Sequence, residues 1–196
     1  MSLLAPSRPN RINGPGPYNW TREEFHRLGD FGWFEGRRAM LIHGNLIEEG
    51  PMNPPHASGV RRVAKQLEQL FGSNFAVSVQ LPVNLDADTD PHPDVCVARG
   101  SIDTYDTRHP EPQDIVLVVE VADTSLKFDL TTKATLYAEA GIPEYWVLDV
   151  IQQQLHVLRD PVNGVYTNVQ VLNDSDHVVA VDSAAATQLP VSSFLR

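Results

Sequence analysis

Cysteine is all but missing from this chain of 196 residues, with Cys96 the only one. A single thiol excludes an intramolecular disulfide and fits a reducing compartment, so a cytoplasmic location is the expectation. Long apolar runs are also missing. No stretch approaches the roughly 18 residues of a membrane span, and the first residues lack the apolar region of a signal peptide. Basic charge is scarce, with 15 Lys and Arg against 25 Asp and Glu and a formal net charge of -10. Sequence-independent affinity for nucleic acid comes chiefly from Lys and Arg at phosphates, so a globally basic binding surface is excluded. Binding that is local, metal-assisted or confined to a groove on an oligomer stays open. Arg37-Arg38 and Arg61-Arg62 are the only adjacent basic pairs, and solvated faces are their plainest reading.

What the chain does have is enough apolar content, 42%, for one domain with a full core. Residues 1–17 hold four prolines and two glycines and are expected to form a flexible arm, with a single domain over 18–196. Thr21 and Glu24 have the spacing of a capping box and open a short helix through Leu28. Met40-Leu41-Ile42 and Leu46-Ile47 flank a hairpin turn at His43-Gly44-Asn45. Val60, Val63, Ala64, Leu67, Leu70 and Phe71 recur at three- and four-residue steps, predicting an amphipathic helix from His56 to Phe71 that Gly72 closes.

Val77 to Leu81 alternates like a half-buried strand, and Pro91 to Ala98 reads as a short strand. The polar stretch from Arg99 to Gln113 is long for a compact domain, which makes it functional or mobile. Ile115 to Val121 is nearly continuous in β-branched residues, the pattern of a strand covered on both faces. Thr124 or Ser125 can cap a helix running to about Ala140, ended by Gly141 and Pro143. Further strands are expected at 144–150, 154–159 and 165–172, and the tail beyond is weakly patterned. This order points to an α/β or α+β domain with a mixed sheet.

Chemistry concentrates in the middle. Asp94 and Glu120 lie on neighbouring predicted strands, and a buried carboxylate such as Glu120 needs a cation, a donor network or a proton. Together they supply the hard oxygen ligands that Mg²⁺ or Mn²⁺ prefers, with the backbone carbonyl of Val121 as a third ligand. Lys133, on the next helix, shares a face with Asp129 and Tyr137 at four-residue steps and would orient an attacking water or stabilise charge at phosphorus. An ordinary Asp129–Lys133 helix pair is the plainer alternative. Cys96 reads as a small core residue, His92 as a turn or solvent residue, Tyr145 and Trp146 as packing, and Ser125 as a cap.

Pro93-Asp94 followed by Glu120-Val121-Ala122 resembles the signature of the PD-(D/E)XK nuclease superfamily. Ser125, Asp129, Lys133, Tyr137, Gly141-Ile142 and Glu144-Tyr145-Trp146 resemble one branch of it, the Uma-type restriction endonuclease family, over roughly residues 18 to 160. The resemblance implies a restriction-endonuclease-like core, a central mixed sheet flanked by helices, and metal-dependent hydrolysis of nucleic-acid phosphodiesters, with DNA the first expectation and a homodimer a further one. It implies catalytic roles for Asp94, Glu120 and Lys133, with Asp129 positioning Lys133 and with His56 and Glu48 in support.

Two departures stand out. The usual lysine two residues after the second acid is Ala122 here, so Lys133 inherits that role. An acid that relatives often carry four residues before the hairpin glycine is Met40, leaving Glu48 or Glu35 as substitutes. Two other readings fit these residues: a nuclease fold that has lost catalysis and acts through protein contacts, and a hydrolase of small phosphorylated molecules.

Overall fold

The computed structural model describes residues 15–183 and 187–195. Residues 1–14 of the expected arm lie outside them. A helix α1 (Arg22–Asp30) is opened by both halves of the expected capping box: the Glu24 N–H donates to Thr21 Oγ1 at 3.2 Å, and the Thr21 N–H donates to Glu24 Oε2 at 3.0 Å. The hairpin β1 (Arg38–Ile42) and β2 (Asn45–Glu49) follows, turning through His43 and Gly44, both at positive φ.

Helix α2 (Pro54–Phe71) starts two residues earlier than the periodicity implies. Asn53 accepts a hydrogen bond from the His56 N–H, and the two prolines occupy the first turn, where a missing N–H costs nothing.

A six-stranded sheet in the order β3 (Phe75–Val79), β4 (Val95–Arg99), β5 (Ile115–Ala122), β6 (Glu144–Asp149), β7 (Gln154–Val162), β8 (Val165–Asn173) forms the centre. Every neighbouring pair is antiparallel except β5 and β6, which are parallel and joined by a helical crossover. The mixed sheet expected from the element order is therefore present. All eight residues of β5 are buried, as its β-branched run implies. Val119 and Val121 pack with Val60, Val63 and Leu67 of α2, while Val118 and Ala122 pack with Tyr137 and Tyr145 on the other side.

The crossover departs from the simple helix read in the sequence. It comprises α3 (Leu126–Phe128), a π turn (Asp129–Lys133) and α4 (Ala134–Glu139). Ser125 makes no capping bond and instead donates from Oγ to Asp129 Oδ2. Such single π turns recur at functional sites in helices.

Two stretches with little pattern in the sequence are structured. The polar stretch after β4 is tied down: it holds a 3-10 turn (Ile102–Tyr105), the Tyr105 hydroxyl donates to the Arg99 carbonyl, and Arg108 pairs with Asp114. The weakly patterned tail completes the core. A small strand pair, β9 (His177–Val178) and β10 (Leu189–Pro190), delivers Val191, Phe194 and Leu195 into the α2 side, where Phe194 meets Trp146 edge-on at 5.8 Å. Glu144, buried at the head of β6, anchors this tail. It accepts from Trp146 Nε1 and Arg159 Nε, both at 2.8 Å, and from the Val181 N–H.

Candidate active site

Register alone brings the two acids together. Val95 pairs with Val119 in the antiparallel β4/β5 ladder, so Asp94, one residue before β4, falls beside Glu120 near the carboxyl end of β5. Asp94 precedes the strand here, since β4 begins at Val95 and not near Pro91. The backbone N–H of Val121 donates to Asp94 Oδ2 at 2.9 Å, and the Asp94 N–H lies 3.4 Å from Glu120 Oε2.

The other Asp94 oxygen is held from two elements that the chain places far apart. His56 Nε2, in the first turn of α2, and Gln80 Nε2, just past β3, each lie 3.0 Å from Oδ1. Burial alone would push the Asp94 carboxyl up, but the bond and charge of His56, the Val121 N–H and Gln80 together hold it below the usual carboxylate range.

Glu120 is 2% exposed. Its Oε1 accepts from the Tyr137 hydroxyl at 2.9 Å, and its Oε2 lies 2.9 Å from Lys133 Nζ. Burial pushes its pKa up to about 8; Lys133 opposes the rise, and Asp94 and Asp129 add to it. Lys133 also approaches Glu49 Oε1 at 3.5 Å and Asp129 Oδ1 at 3.6 Å. Its burial disfavours the charge, but Glu120, Asp129 and Glu49 outweigh that and raise its pKa, so Lys133 is an ammonium.

Lys133 therefore brings to Glu120 the positive charge that Ala122, fully buried against the same side of the sheet, lacks. Asp129 is itself held by Ser125, its carboxyl is raised chiefly by burial, and its Oδ1 has no hydrogen-bond donor.

Glu48 lies at the rim of the cleft, with a 59% exposed side chain 3.7 Å from Arg37. Glu49, one residue on, turns inward to Arg38 at 2.7 Å and to Lys133. Alternation along a strand makes a one-residue shift a change of face, and nothing in the local sequence distinguishes the two glutamates. Met40 is 1% exposed and packs in the core with Ile42, Val83 and Leu85, so its position in the hairpin is an apolar one. Glu35 is not among the residues that line the cleft. Sequence reasoning also passed over Gln80. Its φ of +53 at the end of β3 is a conformational signal that only the folded backbone carries.

These side chains face a cleft of about 320 Å³. Its walls carry six carboxylates, Glu48, Glu49, Asp94, Glu120, Asp123 and Asp129, against two permanent cations, Arg38 and Lys133. Among the described residues no three His, Cys, Asp or Glu side chains already form a metal cage. The donor set still suits a hard cation that keeps part of its water shell, because such ions use one or two carboxylates and not a complete protein cage. Asp94 Oδ2 and Glu120 Oε1 each accept one named hydrogen bond and keep a lone pair free, and Asp129 Oδ1 has no hydrogen-bond donor, with Lys133 Nζ 3.6 Å away.

The profile of the Uma2 family, described as a putative restriction endonuclease, matches residues 22–192. The chain belongs to the Uma2 family. No curated protein matches the sequence. Among solved structures, the crystal structure of a putative nuclease belonging to DUF820 from Anabaena variabilis ATCC 29413 is similar at 14% identity, with 89% of this chain and 97% of that one covered and a TM-score of 0.69. At that identity the likeness concerns the fold. The Uma2-family fold thus agrees with the mixed, helix-flanked sheet expected from the sequence, and the family description makes this a chain of nuclease type. Among the described residues no helix is long and apolar enough to cross a membrane.

Proposed function

We propose that this Uma2-family chain is a divalent-metal-dependent endonuclease that hydrolyses phosphodiester bonds in DNA, with Asp94, Glu120 and Lys133 as its catalytic residues. The observation that carries the reading is the convergence of Lys133 on Glu120 at 2.9 Å, with Asp94 beside it on the adjoining strand. Asp94, Glu120 and the Val121 carbonyl would hold Mg²⁺ or Mn²⁺, which supplies Lewis-acid polarisation of the phosphoryl group and a more acidic bound water.

The chain's own groups have separable tasks. His56, Gln80 and the Val121 N–H keep Asp94 ionised and fixed in place. Tyr137 orients Glu120. Lys133, an ammonium, donates hydrogen bonds and offsets negative charge developing at phosphorus, and it does not accept the proton of the attacking water. Asp129 and Glu49 flank Lys133 and hold its amine toward Glu120. The charge balance of the cleft supports metal dependence, since a polyanion entering a wall with six acidic side chains and only two permanent cations, Arg38 and Lys133, needs an added cation.

The test is titration of Mg²⁺ and Mn²⁺ by calorimetry into wild type, Asp94→Asn and Glu120→Gln, with cleavage of plasmid, single-stranded and mononucleotide substrates alongside. Binding and plasmid cleavage that vanish together in both variants are expected. Absence of metal binding in the wild type sinks the reading. Turnover of mononucleotides but not plasmid replaces it with a hydrolase of small phosphorylated molecules.

A further inference from the structure

We propose that β8 is the interface of a two-fold dimer of this chain. β8 is the last strand of the sheet, nine residues long and hydrogen-bonded on one side only. Among the described residues, no backbone group over 165–172 bonds to anything outside β7. An open edge of this length is a template for another strand, and natural proteins ordinarily blunt one with charge, proline or a bulge. β8 has none of these. Val165, Tyr166, Thr167, Asn168, Val169, Gln170, Val171, Leu172 and Asn173 include no charged residue and no proline, and the register with β7 runs without a shift, Asp160 of β7 alone taking a positive φ within the two strands.

The side chains on its open face add to this. Val165, Val169 and Val171 are 62%, 56% and 47% exposed, and Val162 across the hairpin turn is 53% exposed. β-branched residues in such a row pack well against an identical row across a strand pair.

Charge selects the occupant. With a formal net charge of -10, two copies repel over most of their surfaces. The 13 residues 161–173 form an uncharged strip in which no like charges meet. The strip is also self-complementary, as a two-fold contact requires. Antiparallel pairing centred on Val169 sets Val169 against its own copy, Thr167 against Val171 and Val165 against Asn173, and fuses two six-stranded sheets into one of twelve.

The geometry has a functional consequence. Seven strand spacings of about 4.8 Å separate β5 from its symmetry mate, about 34 Å in all, and antiparallel union points the two β5 carboxyl ends in opposite directions. The clefts of such a dimer act on separate substrates.

Sedimentation velocity from about 1 to about 100 μM tests the proposal, with two variants. Val169→Lys places two ammonium groups opposite each other on the two-fold axis and is expected to weaken dimerisation by about tenfold or more. Its circular dichroism and thermal midpoint should match wild type, because the side chain is already exposed. Val169→Cys should form a disulfide-linked dimer under mild oxidation, whereas Val79→Cys on the opposite edge of the sheet should not. The buried Cys96 does not compete. A wild type that stays monomeric throughout, or a dimer that survives Val169→Lys without Val169→Cys cross-linking, overturns the proposal.

Discussion

Replacing Glu120 by Gln is expected to make the protein more stable while abolishing metal binding. Glu120 is wholly enclosed, and its pKa rises from the model-peptide 4.5 to about 8 in the folded chain, chiefly through burial. A carboxyl with a raised folded pKa holds its proton more tightly when folded. Its favourable contribution is therefore complete below about pH 4.5 and is lost as pH rises through about 8. At pH 7 that loss spans about 2.5 pH units, or about 3 kcal/mol.

Glutamine avoids the loss because it does not ionise. Its amide oxygen can face Lys133, and its NH₂ can face the Tyr137 hydroxyl, which accepts as well as donates. Allowing about 1 kcal/mol for imperfect hydrogen bonds leaves a gain of about 2 kcal/mol at pH 7. For a domain of this size that is a rise of about 4–8 °C in thermal midpoint. Urea unfolding in EDTA at pH 5, 7 and 8 would measure it, with the variant's advantage small at pH 5 and growing at each step. A variant less stable than wild type at pH 7, or a difference that does not change with pH, refutes the electrostatic reasoning.

Lys133→Met, by contrast, should destabilise the fold by about 3–5 kcal/mol, because Glu120, Asp129 and Glu49 lose their shared cation; adding Glu120→Gln should recover part of that loss in denaturant melts. Gly59→Ala would set a Cβ 2.8 Å from Val121 Cγ1, and the strain should cost about 1–3 kcal/mol despite the better helix former. It should also weaken Mn²⁺ binding in calorimetry, because α2 carries His56 to Asp94. Arg159→Met leaves Glu144 buried without its cation and should cost about 3–5 kcal/mol, with faster hydrogen exchange over 177–183, the segment that Glu144 anchors. Burial pushes the Cys96 thiol from 9.0 up to about 12. The stability this contributes is complete below about pH 9 and lost as pH rises through 12, so alkaline unfolding should set in over that window, while a thiol reagent at pH 8 should leave native Cys96 unmodified.

Sequence by itself indicated most of the elements and singled out Asp94, Glu120 and Lys133 as candidates. The β-branched run at β5, the apolar period of α2 and the capping box at Thr21 are local patterns whose cause lies within a few residues, and all three appear where expected. Asp94, Glu120 and Lys133 were legible because burying an acid within an apolar strand requires a partner. Tertiary structure decided what depends on register and on long-range closure. The β4/β5 pairing set Asp94 beside Glu120, and the phase of β2 chose Glu49 over Glu48. A positive φ aimed Gln80 at Asp94, and the patternless tail became core against Trp146. In each case the deciding partner lies many residues away, so no local period records it. The open edge of β8 has the same origin, because which strand ends a sheet is settled only when every other strand has found its neighbours.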